Sequence, residues 1–246
     1  MHRVPIFKLE SVGQVLPPGD VHQIRRVLDG GGMCLLPSDT CYAIAVQPLR
    51  RGTTQLLDRV LARGHAKISL SFASQLMVER FVDLGVEEYR ILDASDRSTP
   101  ITVVAPISED LDPQVRRALP AALFTDDRLG VRLPTSWVER QISAEIDGPV
   151  TSAAIYYPNG DPVRDFDDAL EITTSGMDAH GIPFGRLVAV RHPTIRSQDV
   201  SSVVRFDGGV GENRRGLRVL REAAVGAKQL SEIAGRISFR DVEEWT

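Results

Sequence analysis

Short apolar runs set between amphipathic stretches constrain this fold more than any other feature of the sequence. MCLLP (33–37), CYAIAV (41–46), ISLSF (68–72) and ITVVAP (101–106) are each five or six residues long. That is the length of a strand buried in a sheet, and the last run is strongly β-branched. Between and around them the period changes. VHQIRRVLDGG (21–31) puts Val21, Ile24, Val27 and Leu28 on one helical stripe, with Asp20 placed as its cap and Gly30–Gly32 as its end. TTQLLDRVLARG (53–64) repeats the pattern with Leu56, Leu57, Val60 and Leu61. Further helices are predicted over Ser74–Leu84, DPQVRRAL (112–119), SWVERQISAEI (136–146), a brief DFDDAL (165–170) and Ala227–Ala234; residues 85–100 read as a polar, turn-rich loop. RLGVRLP (128–134), PVTSAAIYY (149–157), Pro183–Val190, Ser201–Phe206 and GLRVLRE (216–222) add strands. No steady strand–helix–strand rhythm runs through this order, which favours an α+β or mixed-sheet fold over a doubly wound one.

With 246 residues and no internal repeat, the chain is expected to form a single domain over 1–246. Its formal charge of −4 excludes a globally basic nucleic-acid coat. Local basic patches remain open through the paired arginines Arg25-Arg26, Arg50-Arg51, Arg116-Arg117 and Arg214-Arg215. Two cysteines, Cys34 and Cys41, cannot staple a chain of this size, nor form a structural zinc site without histidine or acids. Both lie in or beside strands and read as buried thiols. The N-terminal MHRVPIFKLESVG lacks the apolar segment of a signal peptide, and no run nears the roughly 18 apolar residues that cross a bilayer. A cytoplasmic protein with no membrane partner is the expectation.

The familiar nucleotide and metal motifs are missing: GxxxxGK[ST], GxGxxG opening a helix, HExxH and CxxC. Gly30–Gly32 precedes a strand and serves as a cap and turn, and the acidic run Asp165–Asp168 reads as a solvated helix start. What remains is a set of polar residues at strand ends: Thr40, Arg63, Lys67, Arg128, Arg132, Thr151, Ser152, Ser201, Ser202 and Arg221. Arginine presents paired planar donors and hydroxyls complete the coordination, a combination suited to phosphate or carboxylate. Composition and spacing alone give a mixed α/β protein with the means to bind an anion.

The order of the polar motifs goes further. Pro37-Ser38-Asp39-Thr40-Cys41-Tyr42-Ala43-Ile44 resembles a PT[DE]TVYGLG strand, and Leu61-Ala62-Arg63-Gly64 with Lys67-Ile68-Ser69-Leu70 stands where a KxRP helix end and a following strand belong. Thr99-Pro100-Ile101-Thr102, Val131-Arg132-Leu133-Pro134, Pro149-Val150-Thr151-Ser152-Ala153-Ala154, Ser201-Ser202-Val203-Val204 and Leu220-Arg221-Glu222 follow in sequence. Together they resemble the YrdC/Sua5 family, threonylcarbamoyl-adenylate synthases of tRNA modification, over about residues 20–235. Departures fall inside the motifs: Leu61 replaces the lysine, Ala154 the asparagine of SAN, Ala43 a glycine and Glu222 a glycine. Phe72 stands near a histidine position.

The resemblance implies an α/β fold, a YrdC-like twisted sheet of mixed parallel and antiparallel strands with flanking helices around a concave, positively charged cavity. It implies a nucleotidyltransferase that uses L-threonine, bicarbonate or CO2, and ATP, with Mg2+ carried by the ATP. The product would serve adenosine 37 of tRNA through partner proteins of tRNA modification. Residue by residue it assigns Thr40, Arg132 and Ser201 to the amino acid, and Arg63, Lys67, Arg128, Ser152 and Arg221 to the nucleotide. Arg63, Lys67 and Arg132 would neutralise developing charge. No general base is evident; His65 lies in the right loop but reads as an exposed loop histidine. The longer family members carry a further C-terminal domain, which is not expected here. Two alternatives stay open: a divergent enzyme that transfers a carbamoyl group to another acceptor, or a non-catalytic relative that binds nucleotide, RNA or a protein.

Overall fold

A computed structural model describes residues 4–11, 14–62, 67–97, 99–192, 195, 199–208, 216–235 and 239–240. The strands are β1 (Ile6–Lys8), β2 (Met33–Pro37), β3 (Tyr42–Ala45), β4 (Ser69–Ser71), β5 (Ile101–Pro106), β6 (Phe124–Thr125), β7 (Arg128–Arg132), β8 (Val150–Ala154), β9 (Leu187–Arg191), β10 (Ser202–Asp207), β11 (Gly216–Arg221) and β12 (Phe239–Arg240). The helices are α1 (Pro18–Asp29), α2 (Thr53–Leu61), α3 (Gln75–Glu79), α4 (Val86–Arg97), α5 (Pro113–Ala118), α6 (Trp137–Ile146), α7 (Phe166–Ala179) and α8 (Ala227–Ala234).

The strands form one sheet in the order β1-β9-β2-β3-β8-β4-β7-β5-β10-β11-β12, with β6 beside β7. Parallel pairs (β1–β9, β2–β9, β4–β7, β5–β10, β11–β12) mix with antiparallel ones (β2–β3, β3–β8, β4–β8, β5–β7, β6–β7, β10–β11). The expected mixed sheet with flanking helices is what the chain forms.

Period-two alternation gives the centre of this sheet two unlike faces. Tyr42, Ile44, Leu70, Val131 and Ala153 point into the larger core, which also takes Leu56, Leu57 and Val60 of α2 and Ala169 and Met177 of α7. The opposite face carries small or polar residues in register across four strands. Ala43 pairs with Ala154, Ser152 with Ser69, and Ser71 with Arg132. A second core on this side joins Ala43 and Ala45 to Val138 and Ile142 of α6 and to Val21, Ile24 and Leu28 of α1. Ala43, Ser69, Ser152 and Ala154 of this face line a recess.

Four helices differ from the sequence expectation. α3 covers only Gln75–Glu79, capped by Ser74, and stops short of the expected Leu84. α1 begins two residues before Asp20, because Pro18 at its first turn has φ pre-set for a helix; Asp20 lies inside that turn and Pro17 is the cap residue, without a side-chain bond. Residues 86–97 form the helix α4 instead of a loop. Ile91 and Leu92 are fully buried, and Glu88 accepts the backbone N–H of Gly85 at 3.0 Å, which closes the first turn. α7 extends over fourteen residues, capped by Asp165, which accepts the N–H groups of Asp167 and Asp168. Its Gly176 lies against the α2 backbone: a Cβ there would come within 2.1 Å of the Val60 carbonyl oxygen.

Candidate functional site

The β2–β3 connection builds the first wall of the site. Ser38 Oγ accepts the N–H groups of Thr40 (3.3 Å) and Cys41 (3.5 Å), and Ser38 N–H donates to the Cys41 carbonyl (2.9 Å). Such side-chain turns are a common use of serine before a strand. The turn leaves Thr40 lining a recess and sends Asp39 toward the β7–α6 connection. There Asp39 Oδ1 accepts the Thr135 hydroxyl (3.0 Å) and the Ser136 N–H (2.6 Å), while Oδ2 accepts Arg132 Nη2 at 2.7 Å.

Arg132, the last residue of β7, is the centre of the site. Its Nη1 donates to Ser152 Oγ at 3.4 Å, and its Nη2 lies 4.0 Å from Glu139 Oε2. Glu139 is fully buried in the first turn of α6, and its Oε1 accepts the Ser71 hydroxyl at 3.0 Å. Among the described residues Arg132 Nε and Glu139 Oε2 make no hydrogen bond of ordinary geometry, although Ser152 lies close enough to Glu139 to favour its ionised form. Burial pushes the Glu139 carboxyl above the ordinary carboxylate range; Arg132 opposes that rise and Asp39 adds to it. For Arg132, burial disfavours the charge, but Glu139 and Asp39 more than offset it and hold the guanidinium above its usual value.

The far wall comes from β10 and β11. Arg221 Nε and Nη2 both donate to the Ser201 carbonyl (2.9 and 2.7 Å), and Nη2 also reaches Ser201 Oγ at 3.1 Å. Ser201 Oγ is also 3.3 Å from Thr102 Oγ1. Burial lowers the Arg221 pKa, but a guanidinium stays cationic at any working pH. Ser202 turns the other way: its hydroxyl donates to the Val225 carbonyl and accepts the Ala223 and Val225 N–H groups, tying down the approach to α8. Lys67, just before β4, donates to the Phe124 carbonyl at 3.1 Å.

Six of the eight residues assigned from the sequence line this one recess: Thr40, Lys67, Arg132, Ser152, Ser201 and Arg221. It has a volume of about 40 Å3, the scale of a carboxylate-sized group. Arg128 is not among the lining residues; it stands at the opposite end of β7, four residues from Arg132. Arg63 and His65 lie outside the described residues, as do Arg214 and Arg215. Ser38, Ser69 and Tyr156 also line the recess, and Asp39 and Glu139 stand behind it. The sequence reading gave none of these five a role. Alternation was the available signal for Ser69, since it shares a strand face with Ser71 and opposes Ser152. Ala154, at the departed asparagine position, lines the recess as well. Both cysteines are buried as expected, and burial raises both thiol pKa values.

A larger groove of about 370 Å3 lies toward the β1 edge, lined by Phe7, Arg26, Val27 and Arg186 among others. Arg186 there donates to the Gly31 carbonyl. The groove lacks the converging hydroxyls and buried acids of the smaller recess, and those carry chemistry better than volume does.

Comparison with known proteins agrees with this fold. The Sua5/YciO/YrdC family model, described as telomere recombination, matches residues 26–223. Sua5 of P. abyssi in complex with L-threonine superposes with a TM-score of 0.71 at 14% identity; the match covers 97% of this chain and 63% of that one. YciO of E. coli gives 0.66 at 14% identity, covering 94% and 99%. Full-length HypF in its phosphate- and nucleotide-bound form gives 0.61 at 19% identity, covering 82% and 29%. No curated protein sequence matches significantly. At these identities the solved structures speak for the fold, while the family model spans most of the sequence: the chain belongs to the Sua5/YciO/YrdC family.

Proposed function

We propose that the protein is a threonylcarbamoyl-AMP synthase, joining L-threonine, bicarbonate and ATP to give threonylcarbamoyl-AMP, pyrophosphate and water. The observation that carries this reading is convergence. Residues spread from Thr40 to Arg221, singled out by motif order, line one recess around a buried arginine.

In this reading the threonine carboxylate approaches Arg132, whose planar fork suits that ion, and Thr40 and Ser201 present hydroxyls to the rest of the amino acid. The recess is of a size for the carboxylate, and the nucleotide would approach it on the side of Lys67, Ser152 and Arg221. Arg63 joins them in the proposal from its motif position alone, and Arg128 enters only as a more distant nucleotide contact. The threonine nitrogen captures CO2 as an N-carboxylate; one of its oxygens attacks the α-phosphorus and pyrophosphate leaves. The protein contributes orientation and neutralisation of charge on the phosphates. In this reading Mg2+ enters with the ATP, held by its phosphates. No described helix is long and apolar enough to cross a membrane. The activated group would pass in the cytoplasm to partner proteins that modify adenosine 37 of tRNA.

The test is incubation of the purified protein with ATP, Mg2+, bicarbonate and L-threonine, omitting each in turn, with mass spectrometry of the products. Threonylcarbamoyl-AMP that requires all three substrates is the expected result. ATP binding without that product would overturn the assignment and leave a different carbamoyl acceptor, or binding alone.

A further inference from the structure

The start of α6 has a pattern that ordinarily closes a helix on itself. Ser136 precedes the helix and Glu139 is its third residue, the S-x-x-E spacing in which serine and glutamate each satisfy a backbone N–H of the other's end. Here neither side chain does so. Ser136 Oγ donates to the Pro37 carbonyl at 2.8 Å, and the Ser136 N–H is taken by Asp39. Glu139 turns to Ser71, Ser152 and Arg132, and among the described residues its Oε2 makes no hydrogen bond of ordinary geometry. A carboxyl released from capping and buried at 0% exposure beside the central cation of the recess is costly unless it acts on that cation.

We propose that Glu139 is a positioning residue that sets, through its own protonation, how much of the Arg132 charge is available to an anionic group in the recess. The inference rests on the reading above that such a group sits at Arg132. Glu139 does not line the recess and touches no ligand there; it acts through the guanidinium. Protonated, it leaves Arg132 balanced by Asp39 alone. Ionised, it adds a second negative charge, and the cluster of Arg132, Asp39 and Glu139 goes from neutral to −1.

The groups that face it come from every packed element. Arg132 comes from β7, Asp39 and Cys41 from the β2–β3 connection, Ser71 from β4 and Ser152 from β8. On its own helix Arg140 donates to the Pro134 carbonyl and feels Asp39. Burial keeps the Cys41 thiol neutral, leaving Arg132 and Asp39 as the opposing charges, while burial favours the protonated acid and the Ser152 and Ser71 hydroxyls favour the ionised one. The sign follows. An anion beside Arg132 favours the protonated acid, so anion binding weakens as pH rises through the Glu139 titration.

The test follows the Arg132 side-chain Nε–H resonance by nitrogen-15 NMR from pH 5 to 9, assigned with Arg132→Lys, in the free protein and with L-threonine or acetate as probe. One titration with a midpoint above the ordinary glutamate range is expected. It should vanish in Glu139→Gln and move to higher pH in Ser71→Ala, because the Ser71 hydroxyl stabilises the ionised form. By linkage, probe dissociation constants should rise about 3–10-fold across the titration in the wild type and stay flat in Glu139→Gln. A flat Arg132 resonance, a titration unchanged in Glu139→Gln, or acetate binding that ignores pH would overturn the proposal. pH-dependent acetate binding without any threonine binding would uphold Glu139 and count against the amino-acid assignment instead.

Discussion

Arg132 is nearly buried, at 6% side-chain exposure, and its place depends on Asp39 more than on any other contact. Asp39 also receives Thr135 and the Ser136 N–H, so one carboxylate aligns both the guanidinium and the entry to α6. Removing one member of a buried pair strands the other and leaves donors unmet, at a cost of about 3 kcal/mol or more. Asp39→Ala should therefore destabilise the protein by about that amount in urea unfolding. Asp39→Asn keeps acceptor capacity for Thr135 and Ser136 and should lose about 1–2 kcal/mol. Equal losses for the two variants would mean that the charge, and not the hydrogen bonds, holds the connection. Ser201 depends in the same way on Arg221, whose donors to its carbonyl and hydroxyl fix it at the recess.

Packing between elements decides how far the recess walls can shift. α2 and α7 meet closely because Gly176 has no Cβ, and their contact lies under the sheet face opposite the site. Gly176→Ala gains up to about 1 kcal/mol of helix propensity but places a methyl inside the van der Waals surface of the Val60 carbonyl. Overpacking should win, giving a net loss of about 1–3 kcal/mol and a fall in melting temperature of roughly 2–4 °C per kcal/mol. A melting temperature equal to or above that of the wild type would show that the helices separate at little cost. Most elements were legible in the sequence because their period is plain: β2, β5, β7, α2 and α8 stand where the apolar spacing puts them. α4 was not, since its buried positions are few and its first turn is closed by a buried glutamate. α7 was read too short because Thr173, Thr174 and Gly176 weaken the helical signal, although the two threonine hydroxyls bond back to carbonyls within the helix.

At the scale of the whole molecule, topology brings the site together. β3, β8, β4 and β7 are adjacent in the sheet but come from residues 42 to 154, and the register that aligns Ala43, Ala154, Ser152, Ser69, Ser71 and Arg132 is a property of the pairing. Motif order singled out Thr40, Lys67, Arg132, Ser152, Ser201 and Arg221; all but Ser152, which is mid-strand in β8, end or precede a strand. Spacing put Arg128 and Arg132 at opposite ends of one strand, but could not show which end faces the recess. Nor could it show Asp39 and Glu139 behind the recess. Glu139 sits in a pattern that reads as a cap, and only the sheet beneath α6 shows where it turns. In the proposed function this recess, and not the larger groove at Arg26 and Arg186, receives the substrate. A crystal structure of the protein soaked with L-threonine tests it most directly. The amino acid is expected at the recess, its carboxylate within hydrogen-bonding distance of Arg132. Threonine seated in the Arg26–Arg186 groove, or a recess left empty at saturating threonine, would contradict it.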